Sequence, residues 1–98
     1  MDEHQMSGGH FNYAQYQLEM LADEIEELID KNDCNDKNQW GDVIGNHYSR
    51  ETIREFDKAV ELLRQAHAYV HRIDWLVSGD DGEDSFHRRL KNDLEKLK

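Results

Sequence analysis

The chain has 98 residues, a length that suits one domain, with 37% hydrophobic residues, 35% charged residues and a formal net charge of −10. Residues 1–49 carry two bases against eleven acids, and residues 50–98 carry ten bases against eleven acids, so the negative charge is concentrated in the first half. This balance argues against direct nucleic-acid binding, because phosphate backbones repel acidic proteins.

The sequence has no apolar run long enough to cross a membrane and no basic-then-apolar leader. Cys34 is the only cysteine, which excludes an internal disulfide and is typical of a reduced thiol. We therefore expect a cytoplasmic protein with no membrane partner.

The first predicted element follows a flexible segment, residues 1–10. Residues 11–31 have the 3.6-residue period of a helix, and Asn12 is its expected N-cap. Its apolar stripe consists of Phe11, Ala14, Leu18, Leu21, Ala22, Ile25, Leu28 and Ile29. Residues 32–48 are rich in Asn, Asp and Gly and predict a loop, which we expect Trp40, Val43 and Ile44 to pin to the core.

Two further helices are predicted over residues 50–78 and 85–97. Ser49 is the expected N-cap of the long one and Gly79 its terminator. Its stripe consists of Ile53, Phe56, Ala59, Val60, Leu62, Leu63, Ala66, Val70, Ile73, Leu76 and Val77. Asp84 or Ser85 would cap the last helix, whose stripe is Phe86, Leu90, Leu94 and Leu97. The fold prediction is an all-α single domain over residues 11–98, an antiparallel helical hairpin plus a shorter C-terminal helix.

Several aromatic residues lie off these stripes. Tyr13, Tyr16 and Met20 lie nearly opposite the stripe of the first helix, and Trp75 falls on the polar face of the second. They are either ordinary exposed apolar residues or a partner surface, and a homo-oligomer would bury them.

The hairpin geometry brings the start of the first helix to the end of the second. That end would collect aromatic and basic side chains suited to a nucleotide, namely His10, Tyr13, Trp75, His87, Arg88 and Arg89. Asp74 lies inside the apolar sector and needs a partner, for which His71, Arg88 and Arg89 are the candidates. The segment "SGDDGEDS" is interpreted as a turn and helix cap rather than a ligand loop.

Metal chemistry has weak sequence support. His67 and His71 form H-x-x-x-H, which could bind a metal, but packed or surface histidines explain the pair better. We predict no metal and no cofactor.

An acidic face on the first helix consists of Glu19, Asp23, Glu26 and Asp30. A solvated surface is the ordinary explanation, and a DNA mimic is an alternative. The spacings Glu24/Glu27 and Glu27/Asp30 also match the magnesium carboxylates of all-α nucleotide pyrophosphatases. However, the second helix offers only Asp57 and Glu61, which are expected to face solvent.

Two segments, "MSGGHFNYAQYQ" and "RIDWLVSGDDGEDSFHRRL", resemble a family of short uncharacterised proteins encoded by phages and prophages. The resemblance implies a viral accessory protein acting in bacterial cytoplasm and transfers no functional residue. Because no nucleophile–base set is evident, the leading expectation is a non-enzymatic binding protein that sequesters or inhibits a host target, either a defence protein or a small nucleotide. The acidic DNA mimic and the pyrophosphatase-like enzyme remain the alternatives.

Overall fold

The computed structural model describes residues 10–98, so nine of the ten residues of the expected flexible N-terminal segment lie outside the described residues. Three helices follow in chain order: α1 (Gln15–Asp30), α2 (Arg50–Val77) and α3 (Glu83–Lys96). α2 packs against both other helices, whereas α1 and α3 do not contact each other. The predicted all-α hairpin with a shorter C-terminal helix is confirmed.

The three helices lie side by side in one layer with α2 in the middle. The molecule measures 52 × 32 × 14 Å along its principal axes, so its shortest dimension is close to the diameter of a single helix with its side chains. Within residues 10–98 the hydrophobic side chains that are buried are Ala22, Val60 and Ala68. The predicted apolar stripes are therefore only partly covered.

The start of α1 differs from the prediction. Asn12 and Tyr13 have φ angles of 55° and 61°, in the left-handed region that interrupts a right-handed helix. α1 consequently begins at Gln15, and its N-cap is Ala14, which makes no side-chain capping bond. The expected start at Phe11 and the expected Asn12 cap are wrong.

Both ends of α2 agree with the sequence pattern. The Ser49 side chain accepts a hydrogen bond from the Thr52 backbone N–H, as an N-cap does. At the other end Gly79 has φ +85°, the left-handed conformation that commonly ends helices and that glycine adopts without a steric penalty.

The N-terminus of α3 is a correction. The N-cap is Gly82 rather than Asp84 or Ser85, which both lie inside the helix. Ser85 still contributes, because its hydroxyl accepts a hydrogen bond from the Gly82 backbone N–H at 3.1 Å. This is one half of a capping box.

The connection between α1 and α2 folds on itself rather than on the core. Lys37 and Val43 form an isolated antiparallel bridge, and the Asn38 side chain accepts from the backbone N–H groups of Trp40 and Asp42. The three residues expected to pin this loop are exposed, with Trp40 at 75%. The local backbone pairing already satisfies the loop, so it does not need an apolar anchor.

Candidate functional site

A ladder of aromatic rings runs along the middle of the layer. His67, His71 and Trp75 recur every four residues on α2, so they lie on one side of that helix. The His67 and His71 rings are stacked, with centroids 5.6 Å apart and an interplanar angle of 10°, and the Trp75 ring meets His71 at 6.0 Å. Tyr16 of α1 joins the ladder, 5.5 Å from His67 and 6.1 Å from His71. We call these four rings the ring ladder.

The two imidazoles of the ring ladder have unused hydrogen-bonding capacity. His67 Nε2 and His71 Nδ1 are buried, and neither has a hydrogen-bond partner among residues 10–98. Buried polar atoms nearly always have a partner, so each unpaired nitrogen costs about 1–3 kcal/mol.

His71 is in an environment that disfavours its charged form. Burial lowers the pKa of His71, and electrostatic interaction with Arg72 and His67 lowers it further, against smaller opposing effects of Asp93 and Asp74. The imidazole is therefore neutral near pH 7 and offers one donor and one acceptor. His67 Nδ1 lies 3.7 Å from Glu19 Oε2, at the long end of an ionic contact.

A groove lies between α1 and α3 and is lined by two rings of the ring ladder, those of His67 and His71. It encloses about 330 Å³, which lies within the range of small-molecule sites. Its lining comprises Glu19, Arg64, His67, Ala68, His71, Arg72, Asp93, Lys96 and Leu97. This lining combines rings, carboxylates and cations. It therefore suits a ligand with an aromatic part and a charged part, such as a nucleotide, better than a purely apolar ligand.

A cation-lined hollow adjoins the groove and shares three of its residues. It encloses about 260 Å³ and is lined by Arg72, Arg89, Asn92, Asp93 and Lys96. Arg72 Nε donates to Asp93 Oδ2 at 2.7 Å, which ties α2 to α3 and fixes the guanidinium in place. Lys96 forms no ion pair within the described part of the chain, so its ammonium is available to an anion.

A third hollow, of about 370 Å³, extends toward the start of α2. Its lining consists of Glu26, Asp57, Lys58, Val60, Glu61, Arg64 and Leu97. It contains no aromatic ring and more acids than bases, so it has less to offer an anionic aromatic ligand than the groove does.

A fully buried carboxylate, Asp74, anchors the end of the hairpin beside the ring ladder. Its Oδ1 accepts from the Phe11 backbone N–H at 3.2 Å, and its Oδ2 accepts from Gln15 Nε2 at 3.0 Å. The expected partners, His71, Arg88 and Arg89, form no hydrogen bond or ion pair with it among the described residues. That expectation is wrong, because both carboxyl oxygens of Asp74 already accept hydrogen bonds from Phe11 and Gln15, at and just before the start of α1. Asp74 thus positions the start of α1, and with it Tyr16.

The acidic face of α1 is partly neutralised by the neighbouring helix. Arg64 of α2 donates to Asp23 at 3.0 Å and to Glu26 at 2.6 Å, and these two carboxylates raise the pKa of Arg64. Glu19 lies beside His67, while Asp30 is exposed near the end of α1. The face therefore holds α1 against α2 and is not a free row of carboxylates.

The expected nucleotide cluster is only partly assembled. Tyr13 stacks on Tyr16 at 6.2 Å, and Trp75 joins through His71. His10 instead packs edge-on against Phe11 at 4.8 Å, His87 packs against Phe86, and Arg88 is exposed. Arg89 binds Asp81 at 2.9 Å while also lining the hollow. Met20 lies apart, in a small depression with Gln17, Leu21 and Glu24.

The sequence spacing indicates the part of the ring ladder that lies on α2, but only the spacing of the two histidines was interpreted. His67, His71 and Trp75 are spaced i, i+4 and i+8, which places them in one line, but the spacing was considered only for metal binding. Within residues 10–98 no group of three or more His, Cys, Asp or Glu side chains is arranged to hold a metal ion. Likewise, no described helix is both long and apolar enough to span a bilayer.

No family model, curated protein or solved structure matches this chain.

Proposed function

We propose that this protein is a non-enzymatic binding protein that captures a nucleotide in the groove. One observation carries the proposal: the half-buried rings of His67 and His71, each with a buried nitrogen that has no partner among residues 10–98, line a groove that opens into a hollow lined by Arg72, Arg89 and Lys96. A heteroaromatic base can stack on rings and exchange hydrogen bonds with the neutral imidazole of His71, while its phosphate binds cations.

The proposal selects one of the expected targets. The resemblance to phage-encoded accessory proteins supplies a setting for it, in which the protein would sequester a nucleotide signal of a bacterial host. The DNA-mimic alternative receives less support, because Arg64 already pairs with Asp23 and Glu26 of the acidic face. The pyrophosphatase alternative would need clustered carboxylates, and Glu27 pairs instead with Lys31 at 2.9 Å.

Tryptophan fluorescence provides a direct binding assay. The protein has two tryptophans, and Trp40 lies in the exposed loop, so Trp40→Phe leaves Trp75 of the ring ladder as the sole reporter. Titration with nucleoside mono-, di- and triphosphates, cyclic dinucleotides and inorganic phosphate should give saturable quenching with at least one nucleotide and none with phosphate alone. Absence of any change at millimolar ligand would overturn the proposal, as would equal binding of inorganic phosphate.

A matched pair of lysines on α3 tests the position of the phosphate. Lys96→Ala removes a cation that lines the hollow and forms no ion pair in the described chain, so nucleotide affinity should fall at least fivefold. Lys91→Ala removes an exposed lysine that lines a different depression, with His87 and Leu90, and should change affinity less than twofold. Equal losses in both variants would contradict the assignment. Chromatography after incubation with Mg²⁺ should recover the nucleotide unchanged, and hydrolysis would refute the non-enzymatic character.

A further inference from the structure

The side of the layer opposite the ring ladder leaves large apolar side chains in water. On α2 these are Leu62, Tyr69, Ile73 and Val77, and on α1 they are Leu21 and Leu28. Leu62 is 64% exposed and Leu21 and Leu28 are nearly half exposed, although all three belong to the apolar stripes of their helices. We call these six residues the apolar face.

Helix geometry places the six residues on one side. At 100° per residue, Leu62 lies about 160° around α2 from Arg64, and Tyr69 lies about 160° from His71. On α1, Leu21 lies about 160° from Asp23, the residue that Arg64 binds. The groove and the apolar face are therefore on opposite sides of the layer.

We propose that a second copy of this chain covers the apolar face, so that two layers pack back to back as a homodimer. The layer is only 14 Å thick, and the chain buries no hydrophobic side chain larger than Val60 within residues 10–98. Obligate homodimer interfaces resemble a domain core cut in half. The apolar face resembles such a half core, because the apolar stripes of α1 and α2 are covered on one side only. A two-fold axis lets the same patch serve both partners.

The exposed area is sufficient for such an interface. The six side chains together expose on the order of 500 Å² of apolar surface, near the upper end of what a stable monomer leaves in water. A standard interface buries about 800 Å² per partner. The apolar face would supply the centre of such an interface, and a polar rim around it would supply the rest.

The distribution of charge favours a second copy over other occupants. The acids Glu19, Asp23 and Glu26 point to the groove side, at His67 and Arg64, so they do not face a partner across the apolar face. Residues 1–9 offer only two sizeable apolar side chains, Met1 and Met6, which are too few to cover six.

Mass measurement of single-residue variants tests the proposal. Multi-angle light scattering at 50 µM should give twice the chain mass of 11.6 kDa for the unmodified protein. Leu62→Glu should halve that mass, whereas Met20→Glu, which adds the same charge at a side chain with matching 61% exposure, should leave it unchanged. A monomeric unmodified protein would overturn the proposal. So would dissociation by Met20→Glu alone, which would place the interface at Tyr13, Tyr16 and Met20 instead.

Tyrosine nitration provides a second measurement that requires no variant. Tyr69 on the apolar face and Tyr48 near the start of α2 are equally exposed in the single chain, at 46% and 47%. In the dimer, Tyr69 should react at least tenfold more slowly than Tyr48. Equal rates under conditions where the mass is that of a dimer would show that the interface lies elsewhere.

Discussion

The α1–α2 hairpin is closed at its two ends by different buried polar side chains, Asp74 beside the ring ladder and Asn32 at the loop. Asn32 Oδ1 accepts from the Tyr48 backbone N–H at 2.9 Å, and Asn32 Nδ2 donates to the Tyr48 carbonyl at 3.0 Å. The amide thus imitates a neighbouring strand and satisfies both backbone polar groups of Tyr48. Asp74 accepts at both carboxyl oxygens, from the Phe11 N–H just before α1 and from the Gln15 amide in the first turn of α1. At the loop end, Asn32 both donates and accepts a hydrogen bond. At the other end, Asp74 accepts both of its hydrogen bonds.

The loop end has a further constraint in Gly45. A Cβ atom at this position would lie 2.5 Å from the Asn32 carbonyl oxygen and 2.6 Å from that of Cys34, so the backbone would have to shift. Only glycine fits this close backbone approach, although the tip of the loop is exposed. Among the glycines described nearer Asp74, Gly79 and Gly82, a Cβ would meet nothing within 4 Å, so the structure described at that end depends on hydrogen bonds.

Replacement of Asp74 is expected to have the largest effect. Asp74→Ala leaves the Phe11 N–H and the Gln15 amide buried without an acceptor, which should lower the free energy of unfolding by about 3 kcal/mol. Asp74→Asn should cost less than about 1 kcal/mol, because Gln15 Oε1 has no partner at present and could accept from the new amide after a flip.

Urea denaturation followed by circular dichroism measures both Asp74 variants. The matched control is Asp57→Ala, an exposed aspartate on the same helix, which should change stability by less than about 0.5 kcal/mol. Equal losses for Asp74→Ala and Asp74→Asn would show that the amide flip does not occur and that the carboxylate itself is required.

Replacement of Asn32 is expected to have an intermediate effect. Asn32→Ala removes both bonds to the Tyr48 backbone, and the free energy of unfolding should fall by about 2 kcal/mol, as measured by the same denaturation. Asn35→Ala, at an exposed position of the same loop, is the control and should fall within about 0.5 kcal/mol of the unmodified protein. A loss at Asn32 larger than that at Asp74→Ala would reverse the comparison between the two ends.

The smallest expected effect is a pH dependence from His71. Its pKa is lowered in the folded state by burial, so the unfolded chain binds the proton more readily. Stability is then fully present above the ordinary histidine pKa of about 6.5 and is lost as the pH falls below that value. Denaturation midpoints measured between pH 7 and pH 5 should fall less steeply for His71→Gln than for the unmodified protein. His47→Gln, at an exposed histidine of the loop, should keep the original slope, and a shared slope for all three proteins would contradict the assignment.

Local patterns predicted the parts of this fold that local chemistry determines. Ser49 and Gly79 mark the ends of α2 because a hydroxyl cap and a left-handed glycine act within one helical turn. Asp74 was recognised as out of place, but its partners were not, because Gln15 is 59 residues away and an amide leaves no signature in the helical period. The role of Arg64 was missed for the same reason, since Asp23 lies 41 residues away from it.

The candidate site was predicted in outline only. The sequence indicated that aromatic and basic residues gather where α1 begins and α2 ends, and Tyr13, Tyr16 and Trp75 do connect there through His67 and His71. The sequence could not indicate which side of α3 would turn toward α2. The Arg72–Asp93 pair brings Lys96 toward the groove and leaves Arg88 exposed, and that orientation depends on packing between elements.

The self-contained loop offers a practical handle for labelling. Its tip, residues 39–41, lies at the end of the hairpin where α1 ends and α2 begins, far along α2 from the ring ladder. The backbone hydrogen bonds of the loop join residues within 34–45. Exposed tips of this kind tolerate inserted sequence, because little packing depends on them. A short peptide tag introduced there would report on the protein in a cell while leaving both the groove and the apolar face unobstructed.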